Sequence, residues 1–544
     1  MTQPAIYKEG LHPSLMSETA TLCVAVIPQG EKKSFPLYWL LVPRNVLEAD
    51  GKVSKNMLKD IKDVLSDSLC EEVLVSEASD RESWLKRFQD EGIEFFAERQ
   101  FLPGVTDNLA HTVEEALGLK QFSCQVKVAS GRGFLYSSEL KKDAKKITDS
   151  AIYRDYHPLT DRFVIHQTSA KPESLLTFPK VSLPEKPEVK CIDLELEDEQ
   201  LEKLSKYRLL ALNLDEMKAA RQYFRLPKTR EDRKAHKLSD TPTDVEIEVI
   251  AQTWSEHCKH KIFNAKITHT DATKPKDARV QTITSLYKTY IKDATKKLSQ
   301  WRKDLLSVFE DNAGVVKWDN ETAVCFKVET HNSPSALEPY GGALTGILGV
   351  NRDILGTGLG AKPLFNTDVF CFAYPSTALA KRPKLLPPKA ILDGVRKGVE
   401  DGGNKSGIPT VNGAIFFDPG YRAKPLVFCG TGGILPLTCL VNDEVKDAVK
   451  KHTRAGDRII MAGGRVGKDG IHGATFSSES LNEGSPMSAV QIGDPFTQKR
   501  LLDFVIEARD LGYITGITDN GAGGLSSSVG EMATFTGGAN INLD

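Results

Sequence analysis

Several features that would assign a protein to a class at once are missing from this 544-residue sequence. Its nine cysteines include no CxxC pair, which suits reduced thiols in a cytosol. No run of about 18 apolar residues occurs, so the sequence predicts no membrane-spanning helix. The first ten residues, MTQPAIYKEG, lack the charged start and apolar core of a signal peptide. We therefore expect a cytoplasmic protein that has no contact with membranes.

An excess of charge of one sign is also missing. The chain has 71 basic and 73 acidic side chains, a formal charge of −2, and basic residues are not interleaved with aromatic ones. This balance argues against nucleic acid as a partner. The 40% apolar and 26% charged residues are typical of a globular protein. At about 150 residues per domain, the length predicts three or four domains.

Glycine is scarce in the first part of the chain. Only eight of the 42 glycines precede residue 313, and none lies between Gly133 and Gly314. Glycine is required where the backbone adopts positive φ or approaches a ligand closely. The pattern therefore predicts ordinary packed structure first and functional backbone loops after residue 313.

The order of apolar and breaker residues predicts several domains. Residues 20–140 alternate β-type runs with helical stretches, which predicts an α+β domain, and the runs Thr21–Pro28 and Phe35–Pro43 predict a hairpin. Four prolines in residues 168–190 predict an extended linker. The charged run Pro227–Lys237 predicts a solvated loop. From residue 313 a strand, glycine-loop, helix pattern predicts a catalytic α/β or α+β domain, with a further strand over Arg458–Gly464.

The segment TWSEHCKHK (Thr253–Lys261) is the first that carries candidate chemistry. His257 continues the apolar stripe of the preceding predicted helix, three residues after Trp254, so the residues alone favour a core histidine. A zinc site built from His257, Cys258 and His260 is disfavoured, because structural zinc takes four ligands and no second cluster has matching spacing.

The segment KVETHNSPSALEPYGGALTGILGVNRD (Lys327–Asp353) carries the strongest signal. Side chains alternate along a strand, so Lys327, Glu329 and His331 are predicted to share one face. The glycines that follow are predicted to form a loop whose N–H groups face an anion, and Arg352 and Asp353 add a phosphate clamp and a hard oxygen ligand. No Walker A or Rossmann motif is present. The segment predicts a site for phosphate and Mg²⁺.

Later segments place charged or amide side chains beside glycines in the same way. Together with SEHCKHK and KVETHNSP they occur in an order that resembles the phosphoribosylformylglycinamidine synthase family of purine biosynthesis. The motifs that carry the resemblance include RKGVEDGGNKSGIPTVNGAIFFDPGY, GGRVGKDGIHGATF, QIGDPF and DNGAGGLSS. SEHCKHKIFNAK and PGVTDN are similar to the large, single-chain type of that family.

This resemblance implies a multidomain α+β fold whose catalytic lobes are α/β sandwich-like. An N-terminal domain that resembles the family's small subunit would span residues 1–167, followed by a helical linker domain over 168–240. A lobe similar to aminoimidazole ribonucleotide synthetase would span 241–436, and a truncated second lobe 437–544.

The activity that the resemblance implies is ATP-dependent conversion of formylglycinamide ribonucleotide to the amidine. ATP would activate the amide oxygen as an iminophosphate, which ammonia would displace. The catalytic residues would be His331 and His257, with their individual roles unassigned. ATP would contact His260, Lys327, Gly342, Ala343, Leu344, Thr345, Gly346 and Gly349. The nucleotide substrate would contact Thr330, His331, Asn332, Ser333, Arg352 and Gln491. Mg²⁺ would be held by Glu329, Asp353 and Asp519.

The sequence departs from the resembled family in one respect. It ends at Asp544 inside the second lobe and contains no glutaminase nucleophile motif, so ammonia is expected to come from a glutaminase domain absent here. Two other functions stay open. One is another ATP-dependent synthetase of the superfamily, such as aminoimidazole ribonucleotide synthetase or a relative that uses selenophosphate or thiamine phosphate. The other is a non-catalytic fragment that binds ADP.

Overall fold

The structure is a computed structural model, and it divides into two compact units, Met1–Glu185 and Lys186–Asp544. The residues that it describes are 19–30, 33–47, 53–78, 80–103, 105, 107–120, 126–137, 144–152, 155–158, 160–171, 175–179, 188–377, 385–464, 470–477, 490 and 493–541. Both units combine helices with sheets, which confirms the multidomain α+β fold class. The four domain boundaries given above stay predictions.

The first unit is built on a six-stranded sheet in the order β3-β1-β2-β5-β4-β6, in which the paired strands are antiparallel. The pairing of β1 with β2 confirms the predicted hairpin. Its elements are β1 (Thr19–Pro28), β2 (Ser34–Pro43), a 3₁₀ turn (Arg44–Val46), α1 (Lys55–Leu65), β3 (Glu71–Glu77), α2 (Glu82–Asp90), β4 (Ile93–Phe101), α3 (Asn108–Leu119), β5 (Lys127–Ser137), α4 (Ala144–Ala151) and β6 (Asp161–Gln167).

A buried ionic network fastens the end of this unit to the sheet. The side chains of Arg81 and Glu98 are fully buried and paired, and His166 Nε2 lies 2.7 Å from Glu98 Oε1. Arg81 Nη2 donates to the Leu176 carbonyl at 3.0 Å, and Trp39 Nε1 donates to the same oxygen at 2.8 Å. Since a buried charge is costly when unpaired, this network specifies where the chain around Leu176 docks.

The second unit begins with helices and continues with a larger sheet. Its helical part comprises α5 (Asp198–Tyr207), α6 (Leu214–Arg225), α7 (Pro227–Ala235), α8 (Asp244–Thr253), α9 (Glu256–Lys259) and α10 (Lys261–Asn264). A hairpin of β7 (Lys266–Thr270) and β8 (Val280–Thr284), a π-helix (Tyr287–Lys292) and α11 (Asp293–Leu298) follow.

The remaining elements of this unit form the sheet and the helices around it. They are β9 (Leu305–Ser307), β10 (Gly314–Lys317), β11 (Thr322–Thr330), α12 (Asn332–Leu337), α13 (Pro339–Leu355), β12 (Lys362–Phe372), α14 (Pro388–Ser406), β13 (Thr410–Phe417), a 3₁₀ turn (Pro419–Arg422), β14 (Leu426–Pro436), β15 (Thr438–Val441), β16 (Glu444–Asp447), α15 (Gly473–Ser477), α16 (Pro495–Asp510) and α17 (Gly524–Thr534).

The sheet has six strands in the order β13-β12-β14-β11-β10-β9, with β12 and β13 parallel and the other neighbours antiparallel. Helix α13 packs on β11, β12 and β14, and α14 packs on α13. The core beneath α13 includes Val315, Cys325 and Ile354, all at most 2% exposed. This layer fixes the end of β11 against α13, where the candidate site lies.

The prediction of a solvated loop over Pro227–Lys237 is wrong, because most of this run forms α7. Pro227 occupies the first turn, where its missing N–H costs no hydrogen bond. Arg233 is only 5% exposed, is paired with Glu246 and lies over the Phe224 ring. A run of charged residues can therefore form a packed helix when one of its cations is buried and paired.

A strand predicted later in the chain is absent, and the predicted linker is only partly described. The residues from Arg458 to Gly464 form no strand, contrary to expectation. The proline-rich stretch 168–190 lies partly outside the described residues. Within the described part of the chain, no helix is both long and apolar enough to cross a membrane.

Candidate functional site

Strand β11 delivers two charged side chains to the end of the sheet. Lys327 Nζ lies 3.4 Å from Glu329 Oε1 and 3.3 Å from Asp353 Oδ1. The two β11 residues are two positions apart and so share a face, as the alternation predicts. One cation therefore lies between two carboxylates.

Helix α13 and the loop before α17 complete the charged cluster. Arg352 and Asp353 lie in the last turn of α13, and Arg352 Nε lies 3.8 Å from Asp519 Oδ2. Asn312, just before β10, donates from Nδ2 to Asp519 Oδ1 at 2.8 Å and to Asp353 Oδ1 at 3.3 Å. Residues that are some 200 positions apart in sequence thus meet at one place.

The carboxylates of this cluster repel one another. Burial, and then the charge of Asp519, raise the pKa of Asp353 to about 7. Burial also raises the pKa of Asp519, against the opposing charge of Arg352. Although burial lowers the pKa of Lys327, the charges of Asp353 and Glu329 raise it further than burial lowers it. The cluster is therefore short of positive charge.

His331 follows β11 and is the first residue before α12. Burial lowers the pKa of His331 to about 4, although Glu329 and the Gly342 backbone act in the opposite direction. Among the described residues, no hydrogen-bond partner faces its buried Nδ1 atom. The imidazole is therefore neutral at neutral pH. So low a pKa also makes it a weak base, and the charge of Glu329 is what favours its protonated form.

His257 and His260 approach the same cluster from the helical part. Ser255 caps α9 by accepting from the Cys258 N–H, so α8 ends before His257. His257 is exposed, and the expectation of a core histidine is wrong. Although the side chain is accessible to solvent, protein atoms close to the ring desolvate it and lower the pKa of His257. The charge of Glu329 acts to raise this pKa, and those of His260 and Lys327 act to lower it. His260 has a left-handed backbone (φ 52°), a conformation that is uncommon for residues other than glycine.

The predicted substrate contacts differ in their surroundings. Thr330 is exposed at the end of β11. Asn332 Oδ1 accepts from the Val427 N–H at 2.8 Å, and Ser333 is buried at 1% exposure. Gln491 lies outside the described residues. The first of these side chains is open to a ligand, whereas the next two serve the local fold.

The interpretation of residues 342–349 as an anion-binding loop is wrong, because they lie in the middle of α13. Their backbone groups belong to the helix: the Gly342 N–H donates to Glu338 O at 2.9 Å. These residues are buried, and the glycines allow close packing. A Cβ at Gly342 would lie 2.4 Å from Ser335 N, and one at Gly346 would lie 3.1 Å from His331 Cβ. Because these residues form a helix, the structure has no backbone loop there to bind ATP. The ATP contacts of Gly342, Ala343, Leu344, Thr345, Gly346 and Gly349 stay predictions.

Replacement of Gly342 by alanine should disturb α12 and the histidine before it. The new methyl group would meet backbone atoms, which no rotamer change relieves, so we expect a loss of about 1–3 kcal/mol in unfolding free energy. Urea unfolding measures the loss. Gly530→Ala in α17 is the matched control, since nothing lies within 4 Å of its Cβ position. Equal stability of both variants would contradict the close packing of α13 on α12.

Asp368, on strand β12 of the same sheet, is another buried group with a shifted pKa. It is 3% exposed, and burial raises its pKa to about 6 against hydrogen bonds from Thr410 and Cys429. The folded state therefore binds this proton more tightly than the unfolded state, whose pKa is about 3.8. Stability from this group is present below about pH 4 and is lost as the pH rises to about 6, by about 3 kcal/mol.

Asp368→Asn should remove that loss. We expect the variant to gain stability over wild type progressively between about pH 4 and 6 and to keep the gain above it. Urea unfolding across this range measures the difference. Asp319→Asn is the control, because backbone N–H groups of Glu321 and Thr322 lower the pKa of Asp319. A constant difference between Asp368→Asn and wild type at every pH would contradict the assignment.

The donor set fits Mg²⁺ in its chemistry. Glu329, Asp353 and Asp519 supply the hard oxygen atoms that this ion prefers, and their mutual repulsion is what a divalent cation relieves. In the arrangement described, Lys327 lies between two of them. Among the described residues, no three His, Cys, Asp or Glu side chains converge as ligands of one ion. The assignment of the three carboxylates to Mg²⁺ stays a prediction.

Sequence analysis missed two parts of this site. One is Asn312, and the other is the pair of Asp311 and Lys451, whose Nζ lies 2.8 Å from Asp311 Oδ1. The Asp-Asn dipeptide before Gly314 gave no distinctive signal, since such pairs are common in ordinary turns. Nothing in the spacing pointed to Lys451.

Comparisons with known proteins identify the domains around this cluster. Residues 201–261 match the formylglycinamide ribonucleotide amidotransferase linker domain. Residues 310–435 and 454–544 match the N-terminal and C-terminal domains of AIR synthase related proteins. The charged cluster thus combines side chains from both AIR synthase-related domains.

The chain is also similar, over part of its length, to curated proteins and solved structures. The chain is 38% identical over 354 residues to phosphoribosylformylglycinamidine synthase subunit PurL of Thermoplasma volcanium, covering 64% of this chain and 40% of that protein. It is 36% identical over 310 residues to the Thermotoga maritima subunit, covering 57% and 42%. A solved structure of T. maritima PurL complexed with FGAR matches 56% of this chain and 40% of that one, with 31% identity and a TM-score of 0.39. The chain thus spans about two fifths of these relatives.

Proposed function

We propose that this chain, a relative of the PurL-type phosphoribosylformylglycinamidine synthases, carries their synthetase chemistry: conversion of formylglycinamide ribonucleotide to the amidine with ATP and ammonia. The observation that supports this most is the convergence of Lys327, His331, Arg352, Asp353 and Asp519 with His257 and His260. Cations, carboxylates and a neutral histidine in one place suit phosphoryl transfer coupled to proton transfer.

The first step places positive charge where the phosphoryl group is transferred. The amide oxygen of the substrate is a poor leaving group until the γ-phosphoryl group of ATP is bonded to it and ADP departs. Lys327 and Arg352 stabilise the negative charge on the transferring oxygens. Mg²⁺, when held by Glu329, Asp353 and Asp519, supplies further neutralisation of the phosphate oxygens.

The second step needs a base. Ammonia attacks the activated carbon, the C–O bond breaks, inorganic phosphate leaves and the nitrogen loses a proton. His331 is the base in this proposal, because its imidazole is neutral, its buried Nδ1 has no hydrogen-bond partner among the described residues, and the charge of Glu329 favours the protonated ring. His257, exposed on α9, is the second histidine in this proposal. Its role is to orient the substrate or to relay a proton.

In this proposal the new nitrogen atom of the amidine comes from ammonia. A glutaminase would release that ammonia from glutamine, and ammonium chloride supplies it in the assay. We expect formylglycinamide ribonucleotide to stimulate ADP release from MgATP when ammonium chloride is present, and glutamine to give no amidine. The experiment measures ADP and amidine together. The alternative compounds are the substrate of aminoimidazole ribonucleotide synthetase, selenide and thiamine phosphate. ADP release with one of these in place of formylglycinamide ribonucleotide would contradict the proposal.

Substrate binding gives a test that does not depend on turnover. Calorimetric titration of the chain with formylglycinamide ribonucleotide should show binding that Arg352→Ala weakens by about tenfold or more, because a charged hydrogen bond contributes about 1.5–3 kcal/mol. Arg396→Ala on the exposed face of α14 is the matched control. Identical affinities of both variants would contradict the assignment of Arg352.

A further inference from the structure

Asn312 occupies an unusual position between two carboxylates. It lies in the loop before β10, and its Nδ2 atom donates to Asp519 Oδ1 at 2.8 Å and to Asp353 Oδ1 at 3.3 Å. Asp353 belongs to α13 and Asp519 to the loop before α17. A single amide group therefore joins the carboxylates of the two AIR synthase-related domains.

The amide is itself held in place. Thr518 Oγ1 lies 3.3 Å from Asn312 Oδ1 and 3.1 Å from Glu531 Oε1, so its single hydroxyl proton serves one of these two acceptors at a time. A Cβ at Gly356 would lie 3.3 Å from Asn312 Cγ and 3.1 Å from Asp519 N, so the three segments are in close contact. Since the side chain has little room to turn, its two hydrogen bonds determine how far apart the carboxylates lie.

The residue before it anchors the backbone. Asp311 Oδ2 accepts from the Gly358 N–H at 2.7 Å, and Asp311 Oδ1 lies 2.8 Å from Lys451 Nζ. Both side chains of this ion pair are less than 10% exposed. Buried charges that are paired and hydrogen-bonded are costly to separate. These contacts of Asp311 therefore hold the backbone at Asn312 in place.

The chemistry of an amide suits this place better than that of a charged group. A third carboxylate would add repulsion, and a further lysine or arginine would neutralise the charge that attracts a cation. Lys327 and Arg352 each approach one of the two carboxylates, whereas Asn312 bonds to both. An amide N–H brings two carboxylates together without adding a charge that compensates theirs.

We propose that Asn312 is a positioning residue that fixes the separation of the Asp353 and Asp519 carboxylates and so sets the affinity of the site for a divalent cation. The inference rests on the proposed function, because that function makes these carboxylates the Mg²⁺ ligands. It adds a residue that holds the ligands without being one of them.

Mn²⁺ binding to the full chain tests this, with no nucleotide or substrate present. Titration followed by electron paramagnetic resonance counts free Mn²⁺ directly. We expect Asn312→Ala to raise the Kd for Mn²⁺ about 10- to 100-fold, the range typical of residues that orient metal ligands. Asn320→Ala, in the exposed turn after β10, should bind as wild type does.

Two further variants keep the proposal testable if Asn312→Ala unfolds. Thr518→Val removes the hydroxyl next to the amide oxygen of Asn312 and should raise the Kd by a smaller factor than Asn312→Ala does. Asn312→Asp puts a further carboxylate between Asp353 and Asp519, so its Tm in EDTA should fall below that of wild type and its gain in Tm on addition of Mn²⁺ should exceed that of wild type. Circular dichroism reports whether each variant is folded.

The outcomes separate this inference from the proposed function. Wild-type affinity in Asn312→Ala and Thr518→Val, or no Mn²⁺ binding by the wild-type chain, would overturn the role of Asn312. Mn²⁺ binding that depends on Asn312, in a chain that gives no amidine with ammonia and MgATP, would support the role of Asn312 and count against the proposed function alone.

Discussion

Replacement of His331 by alanine should lower ammonia-dependent formation of the amidine by about three orders of magnitude. General acid–base groups contribute about 10²- to 10⁴-fold, and no other group described at the site combines burial, neutrality and an open ring nitrogen. The variant should still fold, because His331 begins α12 through its backbone: its carbonyl accepts from Ser335 N and Ser335 Oγ.

Product formation under saturating MgATP, formylglycinamide ribonucleotide and ammonium chloride measures this effect. The matched control is His269→Ala, a change of the same kind in exposed β7. His257→Ala in parallel separates the two histidines: a base at His331 predicts the larger loss there. Turnover of His331→Ala within a few-fold of wild type, with circular dichroism unchanged, would refute the assignment.

The sequence predicts the charged end of β11 correctly, and the reason is local. Alternation along a strand is enforced by backbone geometry, so Lys327 and Glu329 had to share a face whatever else the chain did. The hairpin of β1 and β2 was predictable for the same reason, since two β-type runs with a short charged turn between them have few other ways to pair.

Helix α13 shows where that reasoning fails. Each glycine inside a helix costs about 1 kcal/mol relative to alanine, so a run with Gly341, Gly342, Gly346 and Gly349 predicts a loop. The tertiary structure reverses this preference, because the absence of side chains lets α13 approach Ser335, His331 and Glu329 closely. Glycines that provide close packing and glycines that provide ligand-facing loops are alike in sequence.

Asn312 shows a second kind of failure. Its importance depends on contacts with Asp353 and Asp519, which lie 41 and 207 positions away. No periodicity relates residues so far apart, and an Asp-Asn pair before a strand is common in ordinary turns. Only the packing of the two AIR synthase-related domains shows that this amide faces two carboxylates.

Replacement of Asp353 by asparagine should change activity and stability in opposite directions. Burial of the carboxylate, and then the charge of Asp519, raise the pKa of Asp353 to about 7, so removing its charge should raise the Tm in EDTA. The same change removes a proposed Mg²⁺ ligand, and turnover should fall by more than the roughly 10- to 100-fold that indirect partners of a metal cost.

A rise in stability together with a loss of activity distinguishes a functional carboxylate from a structural one. A residue kept for the fold loses stability when it is replaced, whereas one kept for its charge gains stability and loses activity. Differential scanning calorimetry in EDTA and the ammonia-dependent assay measure the two quantities. Asp393→Asn is the control, because its exposed pair with Lys389 contributes little to either. A lower Tm in EDTA together with wild-type turnover would show that Asp353 supports the fold and binds no metal.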